Sequence, residues 1–186
     1  MRNSTVQSAH FQSIALAQIN LQDDTFRITT RTDVNELLDT LQYDGLLTPP
    51  LLIKKNSTFV ILSGFRRIDA CLKLNWDEIT ARILKPDTST LDCLRLAIAE
   101  NALQRSLNLI ETSRCLQKLS LCITNSRQLA QSASSLGLPD NPSMIDKIKS
   151  LSLLARPIQN SILADTISLA MAKELESLEA DCAIAF

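Results

Sequence analysis

Two adjacent arginines, Arg66 and Arg67, stand in the segment SGFRRIDA just where a helix should begin. The preceding TFVIL is β-branched and aromatic and predicts a strand. The following IDACLKL places Ile68, Cys71, Leu72 and Leu74 at helical spacing. Ser63 and Gly64 form the turn between them. A helix start carries unpaired N–H groups and partial positive charge, so cations there are unfavourable unless an anion shares the site. The arrangement predicts an anion-binding corner, in which N–H groups after Gly64 and the two guanidiniums supply charge-assisted hydrogen bonds. The plainer alternative is a solvated pair bonded to a nearby acid such as Asp69.

The elements that must position this corner are mixed α/β. SIALAQI predicts a strand. Asp33 caps a helix over VNELLDTLQYDG that Gly45 ends. LLIKK and TFVIL predict a hairpin turning at Asn56 and Ser57. WDEITARIL is a further strand, ended by Pro86. Beyond Pro86 the pattern is helical only, with Thr88 or Ser89 as a cap, Asn108 and Glu111 as a capping-box variant, Asn125 or Ser126 opening RQLAQSASSL, and Asn141 capping a helix with Pro142 at its first position. Pro157 starts a short helix and ISLAMAKELESLEA a last one. The fold class is α+β, a mixed α/β domain over residues 1–90 followed by an all-helical domain over residues 91–186.

The 186 residues are 45% hydrophobic and 21% charged, with a net charge of −1. That balance excludes a uniformly basic nucleic-acid coat. Charge is uneven, however. Residues 91–158 hold eight Lys or Arg against five acids, a net of +3, whereas residues 159–186 hold one against five, a net of −4. The five cysteines, Cys71, Cys93, Cys115, Cys122 and Cys182, form no C-x-x-C pair, and all but the last lie in apolar helical patterns. They read as small buried hydrophobes in a reducing cytosol, not as disulfides or zinc ligands. His10 is the only histidine, which all but excludes a His-based triad or metal site. No apolar run approaches the ~18 residues of a membrane span, and the N-terminus lacks a signal-peptide core. A soluble cytoplasmic protein is expected. Trp76 and Phe59 read as core residues rather than base-stacking platforms.

Three stretches, GLLTPPLLI, SGFRRIDACLKLNWDEI and ENALQRSLNLIE, together resemble the ParB-type partition protein family. Gly45-Leu46-Leu47-Thr48-Pro49 matches its G-L-L-x-P region, and Gly64, Arg66 and Arg67 match its G-x-R-R motif. Glu100, Asn101, Leu107, Asn108, Ile110 and Glu111 match its E-N-x-Q-R and L-N-P-I-E motifs. Order and spacing agree across all three. RQLAQSASSLGLPDNPSMIDKIKSLSLLARPIQNSIL further resembles the family's helix-turn-helix domain, and the likeness runs from about Ile14 to Leu175.

The resemblance implies a ParB-like DNA-binding protein of chromosome or plasmid partition, or of transcription regulation. Its N-terminal domain would bind CTP or another nucleoside triphosphate with Mg²⁺ and act as a nucleotide-controlled clamp. Gly64, Arg66, Arg67, Asn101 and, by a weaker carry-over, Arg27 and Thr48 would hold the nucleotide, with Glu100 on the metal. Implied partners are double-stranded DNA, a second copy of the chain and a partner ATPase, with no membrane. The family's usual C-terminal dimerisation domain is expected to be absent. In the proposed recognition helix, SMIDKIKSL, Lys147 and Lys149 lie off the apolar Ile145, Ile148 and Leu151 face. Ser143, Asp146, Lys147, Lys149 and Arg127 are the candidate DNA contacts.

The sequence also departs from the pattern. ENALQR sets Gln104 where the family has Arg, with Arg105 one position late, and one helical position is about 100° of rotation. Arg105 is therefore expected to turn away from the pocket. Phe65 stands between Gly64 and the arginines, and Leu109 replaces the family's Pro. These departures put nucleotide hydrolysis in question, so at most a slow CTPase is implied. Two alternatives stay open: an enzyme of this fold, a nuclease or small-molecule kinase with Asp69 as a second carboxylate, and a DNA-binding adaptor whose nucleotide pocket has decayed.

Overall fold

The structure, a computed structural model, describes residues 9–172 and 174. The chain divides into two compact units, Met1–Arg105 and Ser106–Phe186.

The first unit is built on a four-stranded sheet: β1 (His10–Ala15), β2 (Leu51–Lys55), β3 (Thr58–Ser63) and β4 (Glu78–Leu84). Their spatial order is β1-β4-β2-β3. β1 runs antiparallel to β4 and β2 antiparallel to β3, while β2 and β4 are parallel, with Leu51 opposite Arg82. The expected hairpin is present, and Asn56 takes the left-handed conformation its two-residue turn requires (φ 55°). Helices α1 (Asn35–Asp44) and α2 (Phe65–Lys73) join one core with the sheet, in which Ile14, Leu52, Ile61, Ile68, Cys71 and Ile83 are buried. Phe59 belongs to this core and Trp76 packs against it, as expected. Helix α3 (Thr90–Gln104), capped by Ser89, packs along β3 and buries Cys93, Leu94, Ala97 and Ile98.

Two sequence expectations shift. The SIALAQI strand ends at Ala15, and Leu16–Gln18 form a 3-10 turn. Leu16 donates to the Asp77 carbonyl at 2.9 Å and Ile19 donates back to Leu16, so both apolar residues stay buried without continuing the ladder. Asp33 does not cap α1 directly. Its side chain accepts from Asn35 N–H at 3.0 Å, one residue before the position a cap would bond, and Val34 takes the cap place.

The second unit is helical: α4 (Leu109–Cys122), α5 (Ser126–Ser134), α6 (Pro142–Ile148) and α7 (Arg156–Leu163). Asn108 and Glu111 form a complete capping box at α4, at 2.9 and 3.1 Å. Asn125 and Asn141 cap α5 and α6, with Pro142 in the first turn. The stretch after α6 is tied down from two sides. Ser152 N–H donates to Ser113 Oγ at 2.8 Å, and buried Gln159 donates to the Ser152 and Leu154 carbonyls at 3.0 and 2.7 Å. The last expected helix begins at Leu169, with residues 169–172 and 174 helical, and its residues from 175 on, with Cys182, lie outside the described residues. Cys122, expected to be buried, is exposed at the end of α4.

Candidate functional site

The corner between β3 and α2 is shaped by a glycine that nothing else can replace. Gly64 adopts φ 101°, a left-handed conformation that disfavours any side chain. A Cβ there would lie 2.6 Å from Pro50 Cβ and 3.2 Å from the Arg67 guanidinium. The proline loop of GLLTPP therefore presses directly on the turn. Its place is fixed in turn by the sheet, since the Pro50 carbonyl accepts from Arg82 N–H at 2.8 Å.

From this turn the two arginines reach in different directions. Arg66 Nε donates to the Asp33 carbonyl at 2.8 Å, and its guanidinium lies 3.6 Å from the Glu36 carboxylate at the start of α1. Arg67 donates to the Thr48 carbonyl and, at 3.4 Å, to that of Pro49. Burial pushes the Arg67 pKa below the ordinary arginine value, and the nearby Glu100 carboxylate partly restores it. The neighbouring Arg82 works in the same direction as burial. An arginine holds its proton regardless, so this environment raises the attraction for an incoming anion.

Between the arginines lies a cavity of about 140 Å³ whose lining includes Ser63, Gly64, Arg66, Arg67, Asn101 and Arg105. Gln104 lines it as well. A space below the several hundred Å³ of ordinary ligand pockets fits phosphate groups better than a whole nucleoside. Asn101 donates from its amide to the Ala97 carbonyl at 2.7 Å, which leaves its side-chain oxygen as an acceptor.

Arg105 corrects the sequence expectation: it lines the cavity instead of turning away. Helix α3 ends at Gln104, and Arg105 is its C-cap in an extended conformation (φ −169°, ψ 166°). The 100° advance per residue stops applying there, and the side chain reaches back so that Nη2 lies 3.5 Å from Thr29 Oγ1. No helical-period argument could have placed a residue one step past a helix end.

Other named residues sit differently. Thr48 contributes its carbonyl to Arg67 and does not line the cavity. Arg27 also stands outside the lining, with its guanidinium 4.9 Å from the Phe65 ring centre and bonded to Asp24 at 3.2 Å and Asp69 at 3.4 Å. Asp69 is thus the partner of Arg27 and not of the adjacent arginines. Burial raises its carboxyl pKa, against the pull of Arg27. Glu100 Oε1 lies 2.6 Å from Arg82 Nη2, and the two side chains are only 24% and 26% exposed. Arg82 carries a residue role that the sequence pattern hid inside a strand. Among the described residues no group of three or more His, Cys, Asp or Glu is placed to hold a metal.

In the second unit Ser143, Asp146, Lys147 and Arg127 are exposed and Lys149 is half-buried. Ile145 and Ile148 face inward. Lys149 is bonded to Asp146 at 2.7 Å, a pair one helical turn apart. A second cavity, about 310 Å³, lies between the start of α5 and the length of α6, lined by Thr124, Ser126, Leu129, Pro142, Asp146 and Lys149 among others. Among the described residues no helix is long and apolar enough to cross a membrane.

Comparison with known proteins adds independent findings. The profile of the ParB N-terminal domain matches residues 1–102. A probable chromosome-partitioning protein ParB of Helicobacter pylori is 24% identical over 155 residues, 83% of this chain and 51% of that protein. A nucleoid occlusion protein of Halalkalibacterium halodurans is 28% identical over 148 residues, 80% of this chain and 50% of that protein. The chain thus spans about half the length of these curated relatives. Among solved structures, a Pnob8-like ParB-N domain aligns with a TM-score of 0.57 at 12% identity, over 96% of this chain and 83% of that one. That likeness concerns the fold.

Proposed function

Because this chain belongs to the ParB N-terminal domain family, we propose that it is a DNA-binding protein of the partition class whose first unit binds a nucleoside triphosphate at the Gly64 corner. The observation that carries the reading is that Arg66, Arg67 and Arg105 all line one small cavity at the start of α2. Three guanidiniums and the unpaired N–H groups of the first helical turn match the charge and geometry of polyphosphate oxygens. Asn101 offers a further polar contact. CTP is the nucleotide that the family resemblance implies. Nucleotide binding would set the closure of a dimeric clamp on DNA, in the cytoplasm on the nucleoid or a plasmid.

In the second unit, α5 and α6 would act as a helix-turn-helix on double-stranded DNA. Lys147, Arg127 and Ser143 lie on exposed positions suited to phosphate or base-edge contacts. Lys149 contributes less, because Asp146 already holds it.

One observation favours a second reading, a DNA-binding adaptor without nucleotide. Arg66 and Arg67 both have protein acceptors in hand, the Asp33 and Thr48 carbonyls. Those bonds would have to yield or be shared when phosphate arrives. The nuclease or kinase reading needs a second carboxylate beside Glu100, and Asp69 is engaged with Arg27.

Two titrations separate the readings. Binding of CTP, ATP, GTP and UTP to the full chain tests the nucleotide, and heat or a thermal shift with none of them would leave only the adaptor. Binding to duplex DNA across a salt series tests the rest. Affinity should fall steeply with salt as phosphate contacts release counterions. A salt-independent interaction, or none with any duplex, would remove the DNA reading.

A further inference from the structure

We infer that the triphosphate site of this chain works without a divalent cation, because an internal guanidinium, Arg82, holds the carboxylate that would otherwise ligate one. The inference rests on the triphosphate reading of the Gly64 corner.

A magnesium ion bound with a nucleotide usually takes one or two protein carboxylates, with phosphates and water completing an octahedron. This cavity does not offer that donor set. Three arginines line it, and among the described residues no Asp or Glu does. Each acid near the corner already faces an arginine or presents only its backbone. Glu36 faces Arg66 at 3.6 Å from an exposed position, and Asp69 is bonded to Arg27 at 3.4 Å. Asp33 presents a backbone carbonyl, which Arg66 already occupies.

Glu100 is the residue that the family pattern would put on the metal. Its Oε1 is instead 2.6 Å from Arg82 Nη2, in a pair that is about three-quarters buried. Arg82 is held rigidly. Its backbone lies in β4 between β1 and β2, opposite Phe11 and Leu51. Its Nε is buried without an acceptor, so the Glu100 carboxylate is the hydrogen-bond partner the side chain has. Breaking a buried pair by removing one partner leaves an uncompensated charge, which disfavours any release of Glu100 to a metal.

Charge reaches the same conclusion. The fixed guanidiniums supply the positive charge that a bound dication would otherwise bring to the phosphates. A dication placed beside three guanidiniums with no protein carboxylate to ligate it has only the phosphates as ionised ligands, and its repulsion from the guanidiniums is amplified in a low-dielectric pocket. The cation function has thus been moved into the covalent chain.

The test is CTP titration into the full chain, once with excess EDTA and once with Mg²⁺. The inference expects dissociation constants within about threefold of each other, a difference under one kcal/mol. In Arg82→Leu the freed Glu100 opposes phosphate, so binding in EDTA weakens about tenfold and Mg²⁺ restores most of it. If that variant fails to fold by circular dichroism, Glu100→Gln decides. Loss of the acid leaves Arg82 unneutralised beside the site, and CTP in EDTA binds severalfold tighter. Wild-type binding that requires Mg²⁺ and is lost in Glu100→Gln would overturn the inference and leave the triphosphate reading standing. No CTP binding under either condition would remove the triphosphate reading and the inference together.

Discussion

The Gly64 corner sets its paired cations in the first turn of α2 and helix α6 carries its own in its last turn and C-cap, and the two are built differently. At the Gly64 corner the arginines are anchored by parts of the chain far apart in sequence, the 48–49 carbonyls and the start of α1, and the end of α3 completes the cavity lining. On α6, a seven-residue helix, Lys147 is exposed in the last turn and half-buried Lys149 is the C-cap, and the ion pair there joins Lys149 to Asp146 one turn back. A site held by several elements is preorganised, and altering it should disturb stability and binding together. A site on one exposed helix face can lose a residue with little effect on the fold.

The largest effect is expected at Gly64. In Gly64→Ala the new Cβ collides with Pro50 at 2.6 Å in a strained backbone conformation. Destabilisation of about 2–4 kcal/mol by urea unfolding is expected, with loss of nucleotide binding. A change under half a kcal/mol would show that the corner relaxes freely and is not preorganised. Next comes Arg67→Ala, which strips the Thr48 and Pro49 carbonyls of a charged donor. It should cost about 1.5–3 kcal/mol. Arg66→Ala, whose partners are more exposed, should cost less stability while still impairing binding. Equal stability losses would break the asymmetry between the two.

Alkaline pH offers a test of the cores. Burial raises the thiol pKa of Cys71 and Cys93 to about 11 and of Cys115 to about 12, from an ordinary 9.0. Above pH 9 the unfolded thiols ionise while the folded ones stay protonated, so the folded state binds more protons and stability falls as pH rises toward 11. The slope is about 1.4 kcal/mol per pH unit for each such thiol. Thermal melts at pH 8, 9 and 10 should show the fall, and Cys115→Ala should flatten it. The smallest effect belongs to α6. Lys147→Ala should weaken duplex binding modestly and reduce the salt slope by about one, with folding unchanged. Lys149→Ala should do less, since Asp146 already neutralises it.

The sequence made much of this visible where one residue type has one physical use. Gly64 before two arginines, the Asn108 and Glu111 capping box, and the hairpin turn at Asn56 all appear as read. Local pattern failed where tertiary contacts decide. Leu16 leaves the strand because Asp77 and the core claim it. Arg105 joins the cavity because α3 stops one residue earlier. Arg82 looked like an ordinary strand residue, since nothing in ITARIL tells which acid will lie across from it. The pairing with Glu100 joins β4 to α3 over a separation of 18 residues and becomes apparent only in the fold.

The Gly64 corner is proposed to seat a polyphosphate among the guanidiniums that line its cavity. Isothermal titration of CTP into the wild-type chain and into Arg66→Ala tests it most directly. Saturable heat in the wild type, reduced at least about tenfold in affinity in the variant, is the predicted result. Equal binding by both proteins would contradict the claim and place the nucleotide elsewhere.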